Sequence, residues 1–137
     1  MLLCQYKICR VTTCRGTTIR KTGGIVKEGL EKKYIPMTET TYYTLLALLE
    51  PRHGYAIMQF VEQLTRGRIR LGTGTLYTMV GRLVEDEVIE ILSSESGKKV
   101  YQITEFGKQL LIEETGRLEI QLSNGKEIME HGGKCDE

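Results

Sequence analysis

Thr73, Thr75, Tyr77, Thr78 and Arg82 fall within ten consecutive residues, and no carboxylate interrupts them. Hydroxyls and a guanidinium on one short stretch are donors for anionic oxygens and for the polar edges of bases, not a proton-transfer set. The same acid-free window, residues 65–82, also holds Arg66, Arg68 and Arg70, and a second basic pair, Lys98 and Lys99, follows. Other chemistries find less. Gly72-Thr73-Gly74-Thr75 lacks the Lys-Ser/Thr ending of a phosphate-binding P-loop. Cys4, Cys9 and Cys14 stand five apart, which is not zinc-finger spacing, and His131 with Cys135 offers only two metal ligands. His53 sits in a turn and suits a structural hydrogen bond, and Tyr55 beside it suits packing. No grouping of Ser, His and carboxylate emerges, so neither catalytic residues, nor a metal site, nor a cofactor is expected.

Around these residues lies a chain of 137 residues, 40% hydrophobic and 27% charged, with a net charge of +1. That length suits one domain. The near-neutral total averages two unlike pieces: residues 1–33 carry eight basic and two acidic groups, and residues 34–137 carry 11 basic and 16 acidic. A cationic window on an acidic body points to an anionic partner met at one face, with a solvated, partnerless surface as the plain alternative. No apolar run reaches the ~18 residues of a spanning helix, so no membrane partner is expected. Four Cys without a disulfide-like spacing suggest a reducing, cytoplasmic setting.

Hydrophobic periodicity organises the rest. Residues 1–36 lack it and read as a basic, disordered arm. Thr38 is an N-cap for a helix with Tyr42, Leu45, Leu46 and Leu49 on one stripe, ended by Pro51. A second helix from Gly54 repeats the spacing in Ile57, Phe60, Val61 and Leu64. Arg68-Ile69-Arg70-Leu71 alternates and predicts a short strand. The third helix buries Leu76, Met79, Val80 and Leu83 and presents Thr75, Thr78 and Arg82 outward. Val88–Leu92 and Val100–Ile103 predict a hairpin around a turn at 93–99. Thr104 caps a last helix whose stripe is Leu111, Thr115, Leu118 and Leu122, with Ser123-Asn124-Gly125 as its stop or bend.

Three helices followed by a basic-tipped hairpin match a winged helix-turn-helix, whose third helix enters the major groove while the wing touches the flanking backbone. The stretch from Thr41 to Gly107 resembles the PadR-like winged-helix transcriptional regulators. The resemblance rests on Leu45-Leu46-Ala47-Leu48-Leu49, His53-Gly54-Tyr55-Ala56-Ile57, Gly74-Thr75-Leu76-Tyr77 with Arg82-Leu83, and Tyr101-Gln102-Ile103-Thr104-Glu105-Phe106-Gly107. It implies homodimers that bind DNA as repressors, a C-terminal dimerisation helix, and a small molecule or stress signal that releases the DNA. Residues 1–33 lie outside the family pattern, and the chain has no Trp to stack on a flat aromatic effector.

The expected fold is therefore mainly α with a small β-hairpin wing. Its parts are an arm at 1–36, the winged unit at 37–103, a dimerisation helix at 104–130 and a tail at 131–137. The expected function is sequence-specific recognition of double-stranded DNA at a pseudo-palindromic operator, with a protein-interaction module as the alternative. Thr73, Thr75, Tyr77 and Thr78 would probe bases and backbone, and Arg68, Arg70, Arg82, Lys98 and Lys99 would meet phosphates. Leu111, Thr115, Leu118 and Leu122, with Tyr42 and Leu45 nearby, would face a second subunit. A small-molecule effector is expected in a cleft between the two long helices.

Overall fold

The computed structural model describes residues 29–131. The cysteines and the final glycines lie outside this span, as does most of the arm.

Thr38 starts the first long helix, α2 (Glu39–Ala47), by accepting the Thr41 amide on its hydroxyl at 3.3 Å. Its buried face is Thr44, Leu45, Ala47 and Leu48, and Leu49 is left outside. The run Leu45–Leu49 is apolar on nearly every side, so spacing alone could not say which leucine faces inward. Arg52 reaches back over the end of α2 to the Ala47 carbonyl and pairs with Glu50 at 2.8 Å, its guanidinium lying 4.5 Å from the centre of the Phe60 ring. His53 then caps α3 (Gly54–Leu64), its Nδ1 accepting the Ala56 amide at 3.2 Å, the structural role its position predicts.

Several expectations along the chain need correction. The first is the strand at 68–71, which does not form. Thr65 supplies the hydrogen bonds a strand partner would have made: its hydroxyl accepts the Ile69 amide at 3.1 Å and donates to the Val61 carbonyl at 2.8 Å. The outer strand is instead β1 (Arg52–His53), too short to show periodicity, paired antiparallel with Tyr101 and Val100. Secondly, the turn at 93–99 shrinks to two residues. Strands β2 (Ile89–Glu95) and β3 (Lys98–Ile103) run up to Ser96 and Gly97, whose φ values of 54° and 74° define the tight hairpin turn. The sheet order is β1-β3-β2, with an irregularity between Ile91 and Ser93.

The third correction is at the C-terminus. Helix α5 runs unbroken from Glu105 to His131, through Ser123-Asn124-Gly125, which neither stops nor caps it. Its 27 residues span about 40 Å at 1.5 Å each. Only its first third is embedded, through Gly107, Leu110, Leu111 and Glu114. Thr104 fixes its start, donating its hydroxyl toward the Glu87 and Val88 carbonyls and accepting the Gly107 amide at 3.1 Å.

Helix α4 (Thr73–Glu85) packs Leu76, Val80 and Leu83, all at most 2% exposed, onto Leu45, Leu48, Ile57, Val61, Val88 and Ile89. Much of the arm's last stretch is folded rather than disordered. A single turn, α1 (Leu30–Tyr34), ends with Lys33 2.5 Å from Asp86 and with the Tyr34 hydroxyl donating to the same carboxylate. Burial and that carboxylate together hold the Tyr34 phenol far above its ordinary pKa. Asp86 is the C-cap of α4, so α1 is tied to the end of that helix. Beyond Pro36, the Met37 backbone passes close enough to Glu114 of α5 to help lower its carboxyl. Arg117 grips the Glu114 carboxylate with two bonds of 2.6 and 2.8 Å.

Two stability outcomes follow. A Cβ on Gly107 would stand 2.2 Å from the Val88 carbonyl, so Gly107→Ala should cost about 1–3 kcal/mol or more in a denaturant titration. The Arg117 hydrogen bonds hold the Glu114 carboxyl below the usual carboxylate range. A depressed carboxylate contributes stability that is present above its unfolded pKa and lost as pH falls through the folded one. Glu114→Gln should therefore be less stable than wild type at pH 7. The gap between the two melting curves should close as the pH drops below about 4.

Candidate nucleic-acid interface

Because α4 buries Leu76, Val80 and Leu83, the 100° step of the helix turns Thr75, Thr78 and Arg82 to solvent. Thr73, Gly74, Thr75, Tyr77, Thr78, Gly81 and Arg82 are all exposed. A Cβ built on Gly74 or Gly81 would meet nothing within 4 Å, so the protein's own packing does not require glycine at either position. Small residues there leave room for something external to approach the helix axis. Thr78 satisfies its own hydroxyl proton on the Gly74 carbonyl at 2.9 Å, leaving lone pairs outward. Among the described residues Arg82 makes no ion pair.

Beside this face the wing and the start of α3 form a second feature. A cleft of 420 Å³ is lined by His53, Gly54, Tyr55, Tyr77, Gly97, Lys98, Lys99 and Tyr101. Lys98 and Lys99 are exposed and make no ion pair among the described residues. The Tyr77 ring lies across Gly54 so closely that a Cβ there would sit 2.8 Å from the Tyr77 hydroxyl oxygen. Tyr55, expected to pack, is instead 61% exposed, because as the second residue of α3 it points away from Ile57 and Val61. The cleft thus gathers three phenols, two ammonium groups and a helix N-terminus, all donors suited to an anionic oxygen. Tyr101 at its back is buried, only 5% exposed, which pushes its phenol upward.

Arg68 and Arg70 are placed differently. Arg68 pairs with Glu39, whose carboxyl that guanidinium draws downward, and Arg70 stands 3.1 Å from Glu62. Both arginines are exposed on the α3–α4 connection, but part of their charge is answered within the chain.

On α5 the expected seam residues separate. Leu111 is 6% exposed and Leu45 fully buried, so both belong to the core and offer no surface to a second subunit. Tyr42 is half-buried, and its hydroxyl donates to Thr115 at 2.9 Å, since the Thr115 proton is taken by the Leu111 carbonyl. Thr115, Leu118 and Leu122 are exposed, and Met129, 78% exposed, continues the same stripe one turn past Gly125. The residues missed from the sequence were those on both sides of supposed breaks: Met129 beyond Ser123-Asn124-Gly125, and Tyr55 just inside a helix start.

Among the described residues no helix is long and apolar enough to cross a membrane, and no three His, Cys, Asp or Glu converge. Among proteins of known sequence, the chain is 35% identical over 68 residues to transcriptional regulator YqjI of Escherichia coli. That match covers 50% of this chain and 33% of YqjI. A protein of Lysinibacillus sphaericus is 39% identical over 72 residues, 50% of this chain and 66% of its own length. The chain thus spans a third to two thirds of the relatives it matches. Among solved structures, RosR of H. salinarum superposes with a TM-score of 0.53 at 25% identity, over 64% of this chain and 76% of that one. The sequence profile of the transcriptional regulator PadR-like family matches residues 43–113, from α2 through the wing and into α5, and the chain belongs to that family.

Proposed function

We propose that this protein is a sequence-specific DNA-binding regulator that reads a duplex with the outer face of α4 and touches the flanking backbone with its wing. The observation that carries the reading is the exposed, acid-free face of α4, open at Gly74 and Gly81, beside a cleft whose lysines make no ion pair among the described residues. A helix entering a groove about 12 Å wide needs small side chains at its tip, and Thr73, Gly74 and Thr75 provide them. Residues 33–38 flank this face without covering it, since Thr75, Thr78 and Arg82 remain exposed.

In this reading Thr73, Thr75 and Thr78 meet base edges, and Arg82 meets phosphate or guanine. Tyr77, Lys98 and Lys99, joined by Tyr55, hold one backbone phosphate in the cleft. Arg68 and Arg70 would reach phosphate by exchanging Glu39 and Glu62 for it. The exposed stripe of α5 is covered by a second copy of the chain. A 40 Å amphipathic helix with only its first third embedded leaves Leu118, Leu122 and Met129 otherwise in water. Two copies would set their α4 helices about 34 Å apart on a pseudo-palindromic operator. Repression, relieved by a small-molecule or stress signal, in the cytoplasm, is the role this architecture fits.

Selection of bound fragments from genomic DNA tests the whole reading. Enrichment of a shared inverted repeat is expected, and retention of all sequences equally, or of none, would overturn it. Replacing Lys98 and Lys99 together by Ala should weaken binding to every duplex and lower the magnitude of the log–log salt slope by about 1.8. Light scattering of Leu118→Asp should show monomers where wild type is dimeric.

A further inference from the structure

We infer that the groove between residues 33–41 and the outer face of α4 is a binding site for a small amphipathic anion, and that its occupant competes with DNA. The regulatory half of this inference rests on the DNA-binding reading, whereas the binding half stands on the groove alone.

The groove encloses 660 Å³, within the ~300–1,000 Å³ of small-molecule sites. Its outer wall is held at one end, where Lys33 and Tyr34 are fastened to Asp86 at the end of α4, and at the other it passes beside the buried Glu114 of α5. A cavity with a pinned wall binds without first paying to order it.

The lining selects the ligand's chemistry. Met37, Met79 and Leu83 make an apolar floor, and the Thr41 hydroxyl already points its proton at the Met79 sulfur, 3.5 Å away. A surface built only for phosphates has no use for that floor. At the rim stand two cations, Lys33 and Arg82. Asp86 answers the charge of Lys33, and no described carboxylate pairs with Arg82. One uncompensated positive charge above an apolar floor fits an apolar body carrying a single carboxylate or sulfonate. Thr75, Thr78 and Arg82 line the groove and also form the α4 face offered to a duplex, so one surface serves two ligands and holds one at a time.

The probe for the test is 1-anilinonaphthalene-8-sulfonate, an apolar body with one sulfonate, titrated by fluorescence into the full chain. Saturable binding is expected, displaced by octanoate and not by octylamine. Arg82→Gln should weaken it about tenfold, the loss of one charge-assisted hydrogen bond. Thr78→Trp, at an exposed helix position, should fill the groove and abolish it, and Lys108→Gln should leave it unchanged. Duplex DNA at low salt should release the bound probe. Binding indifferent to both Arg82→Gln and Thr78→Trp would place the probe elsewhere, such as on the α5 stripe, and overturn the site. A probe that stays bound while duplex saturates the protein would overturn the competition. Binding of probe but of no duplex would support the groove and overturn the DNA-binding reading instead.

Discussion

A helix can offer a bare polar face to a large ligand only if its opposite face is gripped firmly enough to hold its position. Here the grip is the row Leu76, Val80 and Leu83, set into a core shared by α2, α3 and the sheet. Fully burying one such side chain contributes roughly 1.5–3 kcal/mol, so three in a row hold α4 without help from its outer side chains. Those outer residues are therefore free of structural duty. Thr75, Thr78, Gly81 and Arg82 can be selected for what they touch outside the molecule.

Around that helix the chain uses polar groups as fasteners at a few buried or half-buried points. Asp86 receives Lys33 and Tyr34 at the end of α4. Glu114 receives the Arg117 fork from inside α5 and lies beside the Met37 backbone. A carboxylate removed from water would be costly alone, and Arg117 offsets that cost. The chain meets Asp86 before Pro36 and passes Glu114 just after it. Residues 33–37 therefore run as a short strap between the helix that faces the proposed duplex and the helix that faces the proposed second subunit.

Much of this was legible beforehand, for identifiable reasons. The N-caps Thr38 and Thr104, the buried face of α4 and the outward set Thr75, Thr78 and Arg82 follow from local chemistry and a 3.6-residue period, which the tertiary structure did not override. Misreadings fell where one local rule met a stronger partner. Alternation at 68–71 suggested a strand, but the Thr65 hydroxyl met the backbone first. Ser123-Asn124-Gly125 carries the composition of a stop, yet helix on both sides carries through it. Leu111 shares the spacing of the exposed stripe residues Leu118 and Leu122, and only its packing into the core, where Leu45 also lies, puts it inside. The strap was invisible because its contacts join residues about fifty to eighty positions apart.

The uninterrupted course of α5 has a mechanical corollary. Gly107 is wedged against the Val88 carbonyl, and no break intervenes before His131, so the winged body and the far end of α5 have no joint between them. In a pair of such chains, the distance and twist between the reading surfaces would be dictated by a stiff rod, much as a caliper's opening is set by its beam. Operators would then be sorted as much by the phase of their half-sites around the duplex as by the bases within them.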